Sequence, residues 1–251
     1  MRFLIDFKTS KGCKFYPEMG YQAAAYAHPL GITTSIVVLL DKESEKFATE
    51  TIVESRLRNY FEVFKGLYHA YLAILDENGT AESKLQKRYD RAVKAGKDPH
   101  IYEHPEHGFV PSVTTILGLK EKPALLNWAA GCAADYIKDA DERYGLYDKP
   151  DSYKEKVYIG AKKAFYRVKK KASTIGTDTH EAIEKYLLGE DFAQVNAFLA
   201  TKDQRARIAY NNFVDWWECN NFKVESIEQQ VYGCEPGYDK YGGRYDVIVT
   251  S

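Results

Sequence analysis

No segment of this chain is apolar for long enough to cross a bilayer, which takes about 20 residues in a helix. The most aliphatic run, "SIVVLL" at 35–40, has the length of a strand. No secretory leader is expected. Cysteine is sparse: Cys13, Cys132, Cys219 and Cys234 are scattered, and none forms a C-x-x-C pair. A zinc site or a disulfide framework is therefore not expected, and free thiols in a reducing compartment are. An excess of charge is missing too. Lys and Arg number 35 against 36 Asp and Glu, a formal net charge of −1, so any site for a polyanion must be a local patch. The 251 residues suffice for one large domain or two small ones with a proper core.

What is there is concentrated at the two ends. Residues 2–12, "RFLIDFKTSKG", alternate as a strand does: Phe3, Ile5 and Phe7 share one face, and Leu4, Asp6 and Lys8 the other. A carboxylate and an ammonium side by side on one face can hold a metal ion and a water together, although a lone Asp-x-Lys is more often a surface ion pair. Residues 242–251, "GGRYDVIVTS", behave the same way. Tyr245, Val247 and Val249 alternate with Asp246, Ile248 and Thr250, behind a Gly242–Gly243 pair suited to a turn or a close backbone approach. If the ends adjoin, the two stretches form a β-hairpin, and Asp246 and Asp6 sit on paired strands within reach of one ion.

Between them the periodicity alternates between helix and strand. Residues 16–31 read as a short helix opened by Pro17 and closed by Pro29–Gly31. In it Gln22 and Tyr26 share a face, and the alanines at 23–25 allow close approach to a sheet. A buried strand is expected at 33–42. A long amphipathic helix is expected at 50–75, with apolar marks at Val53, Leu57, Phe61, Phe64, Tyr68 and Leu72. Residues 76–107 are polar and nearly free of aliphatic side chains. They read as a connector with some helix at 83–95, such as a junction between joined termini would be. Helices follow at 123–139, about 152–171, 176–190 and 203–219, then a strand at 223–233. The run "KKAFYRVKKK" at 162–171 interleaves Lys162, Lys163, Arg167, Lys169, Lys170 and Lys171 with aromatics. Such a face either neutralises phosphates and stacks on unpaired bases, or is a plain solvated helix surface.

Taken in the order 109–251 followed by 1–75, five stretches fall into a series: "GTDTHEAIEKYLLG", "ESIEQQVY", "GGRYDVIV", "LIDFKTSKG" and "GYQAAAYA". In that order the chain resembles the PD-(D/E)XK nuclease superfamily, in particular its RecB-like exonuclease branch, over most of residues 1–40 and 109–251. From Asp246 across the joined ends to Asp6 there are ten intervening residues, 247–251 and 1–5, at the short end for the family's hairpin. The resemblance implies an α/β fold with a restriction-endonuclease-like core, a central mixed sheet flanked by helices. It implies a circularly permuted order with the termini at the tip of the catalytic hairpin, a position where permutation is tolerated. The whole chain is then a single nuclease domain: 108–251 the first half of the family fold, 76–107 the connector, and 1–75 the second half.

The resemblance also implies roles. Asp246 and Asp6 match the two acidic metal ligands, with the Phe7 carbonyl as a further ligand; hard oxygens suit Mg²⁺ or Mn²⁺. Lys8 matches the lysine that holds or deprotonates the attacking water and offsets phosphate charge. Glu228, preferred over Glu225 by the pattern of "IEQQVY", matches the acid of the preceding strand. His180 matches the histidine that marks the RecB-like branch, with Glu184 one turn on. Gln22 and Tyr26 match the Q-x-x-x-Y motif that positions the lysine and the DNA backbone. DNA contacts are expected from Thr9, Ser10, Lys11, Arg244, Ser112 and Thr114, and from the basic helix through Lys163, Arg167 and Lys170. Some members of the branch carry an iron–sulfur cluster, but the cysteines here do not match its spacing, and none is expected. The implied protein is a Mg²⁺-dependent DNA exonuclease of a phage or a recombination system. It would act in the cytoplasm of a bacterial or phage-infected cell, or in another reducing compartment that holds nucleic acid. Its partners would be DNA and recombination or replication proteins, and no membrane. The competing readings are an endonuclease or flap nuclease of the same chemistry, and a nucleic-acid-binding module without turnover. Intact Asp246, Asp6 and Lys8 argue against the last.

Overall fold

The computed structural model describes residues 1–76, 81–96, 100–120, 123–234 and 240–251; the side chains of residues 76, 81–82, 123–124 and 234 lie outside that description. In chain order the elements begin with β1 (Arg2–Ser10), α1 (Pro17–Ala27), β2 (Thr34–Asp41), β3 (Phe47–Val53) and α2 (Glu54–Asp76). Then come α3 (Ala81–Lys94), β4 (Ile101–His104), β5 (Gly108–Pro111), α4 (Val113–Leu117) and α5 (Pro123–Tyr144). The chain continues through α6 (Asp151–Leu187), α7 (Phe192–Ala200) and α8 (Gln204–Glu218), and ends in β6 (Lys223–Ile227), β7 (Gln230–Cys234), β8 (Lys240–Arg244) and β9 (Val247–Thr250). Two compact units result: 1–120 together with 179–251, and the described residues of 121–178.

The first unit is built on a mixed five-stranded sheet in the order β3-β2-β1-β9-β6. Strand β1 runs parallel to β2 and antiparallel to β9, with Arg2 opposite Thr250 and Ile5 opposite Val247. The chain ends adjoin: the Met1 ammonium donates to the Ser251 carbonyl at 2.8 Å, and the Ser251 N–H to the Met1 carbonyl at 3.2 Å. Helices cover both faces of the sheet. On one, Leu4, Val37, Leu39 and Ile248 pack with Ala23–Ala27 of α1 and with Leu57, Phe61, Phe64 and Tyr68 of α2. The alanines bring α1 close to the strands, and each large α2 side chain contributes roughly 2–3 kcal/mol by leaving water. On the other face Phe7 meets Phe213 and Trp216 of α8 edge-on, at 5.2 and 5.9 Å between ring centres. The buried Asn212 amide of α8 donates to the carbonyls of Asp41 and Ser44, tying that helix to the β2–β3 turn.

Several boundaries differ from the sequence expectation. The helix expected over 50–75 starts at Glu54, because 47–53 pairs with β2 as an edge strand and carries the β-branched Thr49, Thr51, Ile52 and Val53. The connector contains α3 and a β4–β5 hairpin, while its residues 77–80 and 97–99 lie outside the described residues. Leu85 and Tyr89, one turn apart, are the apolar anchors of α3, too few to give a readable period; Tyr89 packs on Phe109. The helices expected at 152–171 and 176–190 are one helix, α6, since Gly176 alone costs a helix only about 1 kcal/mol. Helix α5 runs on to Tyr144, and α7 was not foreseen.

The last two expected strands are interrupted. The stretch 223–233 splits into β6 and β7 at Glu228, whose φ is 49°, and the last strand splits at Tyr245–Asp246 into β8 and β9. The alternation therefore does not carry through, and Tyr245 joins the α1-side cluster with Leu4 and Ile248 rather than facing with Val247 and Val249. The β7–β8 ribbon lies against α1: the Tyr241 hydroxyl donates to the Ala25 carbonyl at 2.9 Å. Gly243 sits so close to Tyr26 that a Cβ would lie 2.2 Å from the ring, so this glycine serves close approach within a strand and not a turn.

In the second unit Trp128 of α5 packs edge-on against Phe165 of α6, and the Arg167 guanidinium lies over the Tyr136 ring at 4.7 Å. Among the described residues no helix is long and apolar enough to cross a membrane. Cys13, Cys132 and Cys219 are free thiols; the side chain of Cys234 lies outside the described residues. Gly243→Ala is expected to lower the unfolding free energy by roughly 1–3 kcal/mol in a urea titration, because neither the strand nor the buried Tyr26 can give way.

Candidate metal centre

Within the first unit, three neighbouring strands, helix α1 and the part of α6 from 179 onward converge at one end of the sheet. Strand β1 brings Asp6 and Lys8 on the face that α1 covers, and α1 presents Gln22 and Tyr26 one turn apart. The Lys8 ammonium donates to Asp6 Oδ1 at 2.9 Å and lies 2.8 Å from Oδ2. It also donates to Gln22 Oε1 at 3.1 Å, and the Gln22 amide donates in turn to the Tyr26 hydroxyl at 3.1 Å. The β1–β9 register carries the chain just past Ile5 and Val247, so Asp246 arrives beside Asp6. The Phe7 N–H donates to Asp246 Oδ2 at 2.6 Å. Helix α6 adds His180, whose Nδ1 lies 3.5 Å from Asp246 Oδ1. Glu228 completes the group from the break between β6 and β7: its N–H donates to the Asp246 carbonyl at 2.8 Å, and Arg244 pairs with its carboxylate.

The charges are set against one another. Burial opposes ionisation of Asp246, yet His180, Lys8 and the Phe7 N–H together hold its pKa below the usual carboxylate range. Asp6 goes the other way: burial raises its pKa, Lys8 offsets part of that, and the nearby Asp246 adds to it. Lys8 stays an ammonium, because Asp6 and Asp246 outweigh the burial that would lower its pKa. His180 is likewise raised, burial being outweighed by Asp246. Glu228 is pushed up to about 7, by burial first and then by Asp246, against the pull of Arg244. Burial keeps the Tyr26 phenol neutral.

The residues fit a small divalent cation. One ligand atom each of His180, Glu228 and Asp246 lie within 4.8 Å of one another. Donors held about 2.1 Å from an ion lie at most about 4.2 Å apart, so the three close on an ion by moving less than about 1 Å. Asp6 Oδ2 is buried, and its close polar neighbour is the Lys8 ammonium at 2.8 Å, so this carboxylate is balanced by the lysine beside the three-residue group. The carboxylates of Glu228 and Asp246 with one imidazole, and Asp6 beside them, form a hard, oxygen-rich donor set. Compared with protein-family models, curated proteins and solved structures, the chain matches none.

The other residues singled out in the sequence lie as follows. Glu225 is not in the cluster; it pairs with Arg2 at 2.6 Å on the edge strand. Thr9 and Ser10 end β1, the Ser10 hydroxyl buried without a partner among the described residues, and Lys11 follows in solvent. Ser112 is buried and caps α4, accepting from the Thr115 N–H at 3.0 Å, and its hydroxyl lies 3.0 Å from that of the exposed Thr114. A bridge to Gly242 sets Ser112 beside β8. Lys163, Arg167 and Lys170 belong to the second unit, where Arg167 also donates to the Gly160 carbonyl. The contact the sequence did not signal is that of Arg244 with Glu228, since nothing in a strand pattern announces a left-handed residue at 228.

The Glu228 shift has a definite sign. Folding favours its protonated form, so its contribution is full below the ordinary value of 4.5 and is lost as pH rises to about 7. Relative to the parent, Glu228→Gln is expected to gain about 1–3 kcal/mol of stability between pH 4.5 and pH 8, read by chelator-treated urea titrations. A pH-independent difference would contradict the shift.

Proposed function

We propose that this protein is a divalent-cation-dependent deoxyribonuclease of the RecB-like, PD-(D/E)XK type, acting on DNA with a free end. On this reading the mixed sheet is a restriction-endonuclease-like core in circularly permuted order, 108–251 before 1–75. The observation that carries the reading is that Asp6, Lys8, Gln22, Tyr26, His180, Glu228 and Asp246, chosen from scattered positions, form one contiguous set of contacts across adjoining chain ends. A surface ion pair would not bury a carboxylate and give its lysine a second, amide partner.

Asp246, Asp6, Glu228, His180 and the Phe7 carbonyl would hold Mg²⁺ or Mn²⁺. When bound, the ion supplies positive charge at the scissile phosphate and makes a water more acidic. Lys8 enters as a charge and not as a base, since two carboxylates hold it protonated; it would neutralise charge growing on the phosphate oxygens. Gln22 accepts from that ammonium and Tyr26 anchors Gln22, so the lysine is aimed before substrate arrives. Asp246 is kept ionised and is oriented by the Phe7 N–H. For the polyanion, β1 continues into Thr9, Ser10 and Lys11, and the second unit offers the exposed Lys163, Tyr166 and Lys170 of α6.

With Mg²⁺, end-labelled linear DNA is expected to be degraded while a closed circle is left intact. Asp6→Asn and Lys8→Ala are each expected to lower cleavage by roughly 10²–10³-fold or more while DNA retention in a filter assay stays within a few-fold. Undiminished cutting by either variant would remove this site from the chemistry.

A further inference from the structure

Glu228 is held in a conformation that its own side chain does not favour. Its φ of 49° lies in the left-handed region, which costs a residue with a Cβ on the order of 1 kcal/mol. Such strain persists only where the surroundings over-determine the backbone. Here they do so through both of its peptide groups: the Glu228 N–H donates to the Asp246 carbonyl at 2.8 Å, and Arg244 Nε donates to the Glu228 carbonyl at 2.9 Å. The same Nε lies 2.8 Å from Glu228 Oε2. One guanidinium thereby ties the carboxylate of Glu228 to the carbonyl of Glu228, fixing the side chain against its own backbone. Arg244 is opposite Gln230 in the β7–β8 ribbon, so the ribbon holds the arginine in register with the strand break. Its side chain is 53% exposed, yet it is directed back onto the chain.

We propose that Arg244 is a positioning residue for the divalent cation, setting the Glu228 carboxylate against His180 and Asp246. The inference rests on the proposed cation at that cluster. A cation next to a ligand could instead compete with the metal for it. Competition, however, requires only the carboxylate contact, whereas Arg244 also grips the carbonyl of the strained residue. A carboxylate has two oxygens, and anchoring one leaves the other to a metal. Both contacts are made by Nε, and a lysine carries a methylene at that place in its side chain with its ammonium one bond further out, so it does not set a donor where Nε sits.

The test is titration of Mn²⁺ alone, without DNA, into the chelator-treated full chain, followed by calorimetry. It compares the parent with R244Q, R244K, E228Q and the double variant, each checked for cooperative thermal unfolding. R244Q is expected to weaken Mn²⁺ binding roughly 10–100-fold. R244K should remain weakened despite its charge, and the double variant should bind no more weakly than E228Q alone. Should R244Q not fold, R244K in the same cycle with E228Q carries the comparison. Binding by R244Q as tight as the parent's or tighter, or losses that add in the double variant, would overturn the proposal. A parent that binds no Mn²⁺ would overturn it together with the nuclease reading. Mn²⁺ binding that follows the expected pattern in a protein that cuts no DNA would uphold Arg244 and sink the nuclease reading alone.

Discussion

The pairing of β1 with β9 is the constraint on which the site depends. It joins residues nearly the whole chain apart, and its register of Ile5 against Val247 sets Asp6 and Asp246 side by side at the end of the ladder. Two carboxylates so close and so poorly solvated repel, and neither would ionise readily alone. The surroundings divide the burden: Asp246 takes the imidazole and the Phe7 amide, and Asp6 takes the ammonium. One acid is thereby kept ionised and the other held back, as in coupled carboxylate pairs.

The fold around the pair is stiff where it must be. Phe7 points away from Asp6 and Lys8 into the α8 aromatics, so the strand bearing the charges is pinned from its other face. The α1 alanines allow Gln22 to reach Lys8, and Gly243 leaves room for Tyr26. The polar chain from Asp6 through Lys8 and Gln22 to Tyr26 is satisfied link by link, the Lys8 ammonium lying 2.9 Å from one Asp6 oxygen and 2.8 Å from the other. The left-handed backbone of Glu228 is an unfavourable local feature of the cluster, and it faces the chemistry proposed there.

Much of this was legible because it is periodic. The alternation of β1, the i, i+4 pair on α1 and the apolar marks at Leu57, Phe61, Phe64 and Tyr68 are local patterns with a fixed repeat, and each element formed where its period ran. The helix α3 has one buried and one half-buried anchor, Leu85 and Tyr89, and two side chains do not make a period. The strand β3 runs into the helix expected from 50 because its inward face is Ala48, Glu50 and Ile52, of which Ile52 alone is a large apolar residue.

By itself the sequence determined the residue types, the faces of β1 and α1, and the cyclic order that carries the resemblance. Only the tertiary structure decided that Glu228 comes within reach of His180 and Asp246, that Arg244 grips Glu228, and that the last two expected strands break at Glu228 and at Tyr245–Asp246. The reason is physical. A strand's period specifies which side chains share a face, but a break in that period is stabilised by partners hundreds of residues away or across a ribbon, and no local repeat encodes them.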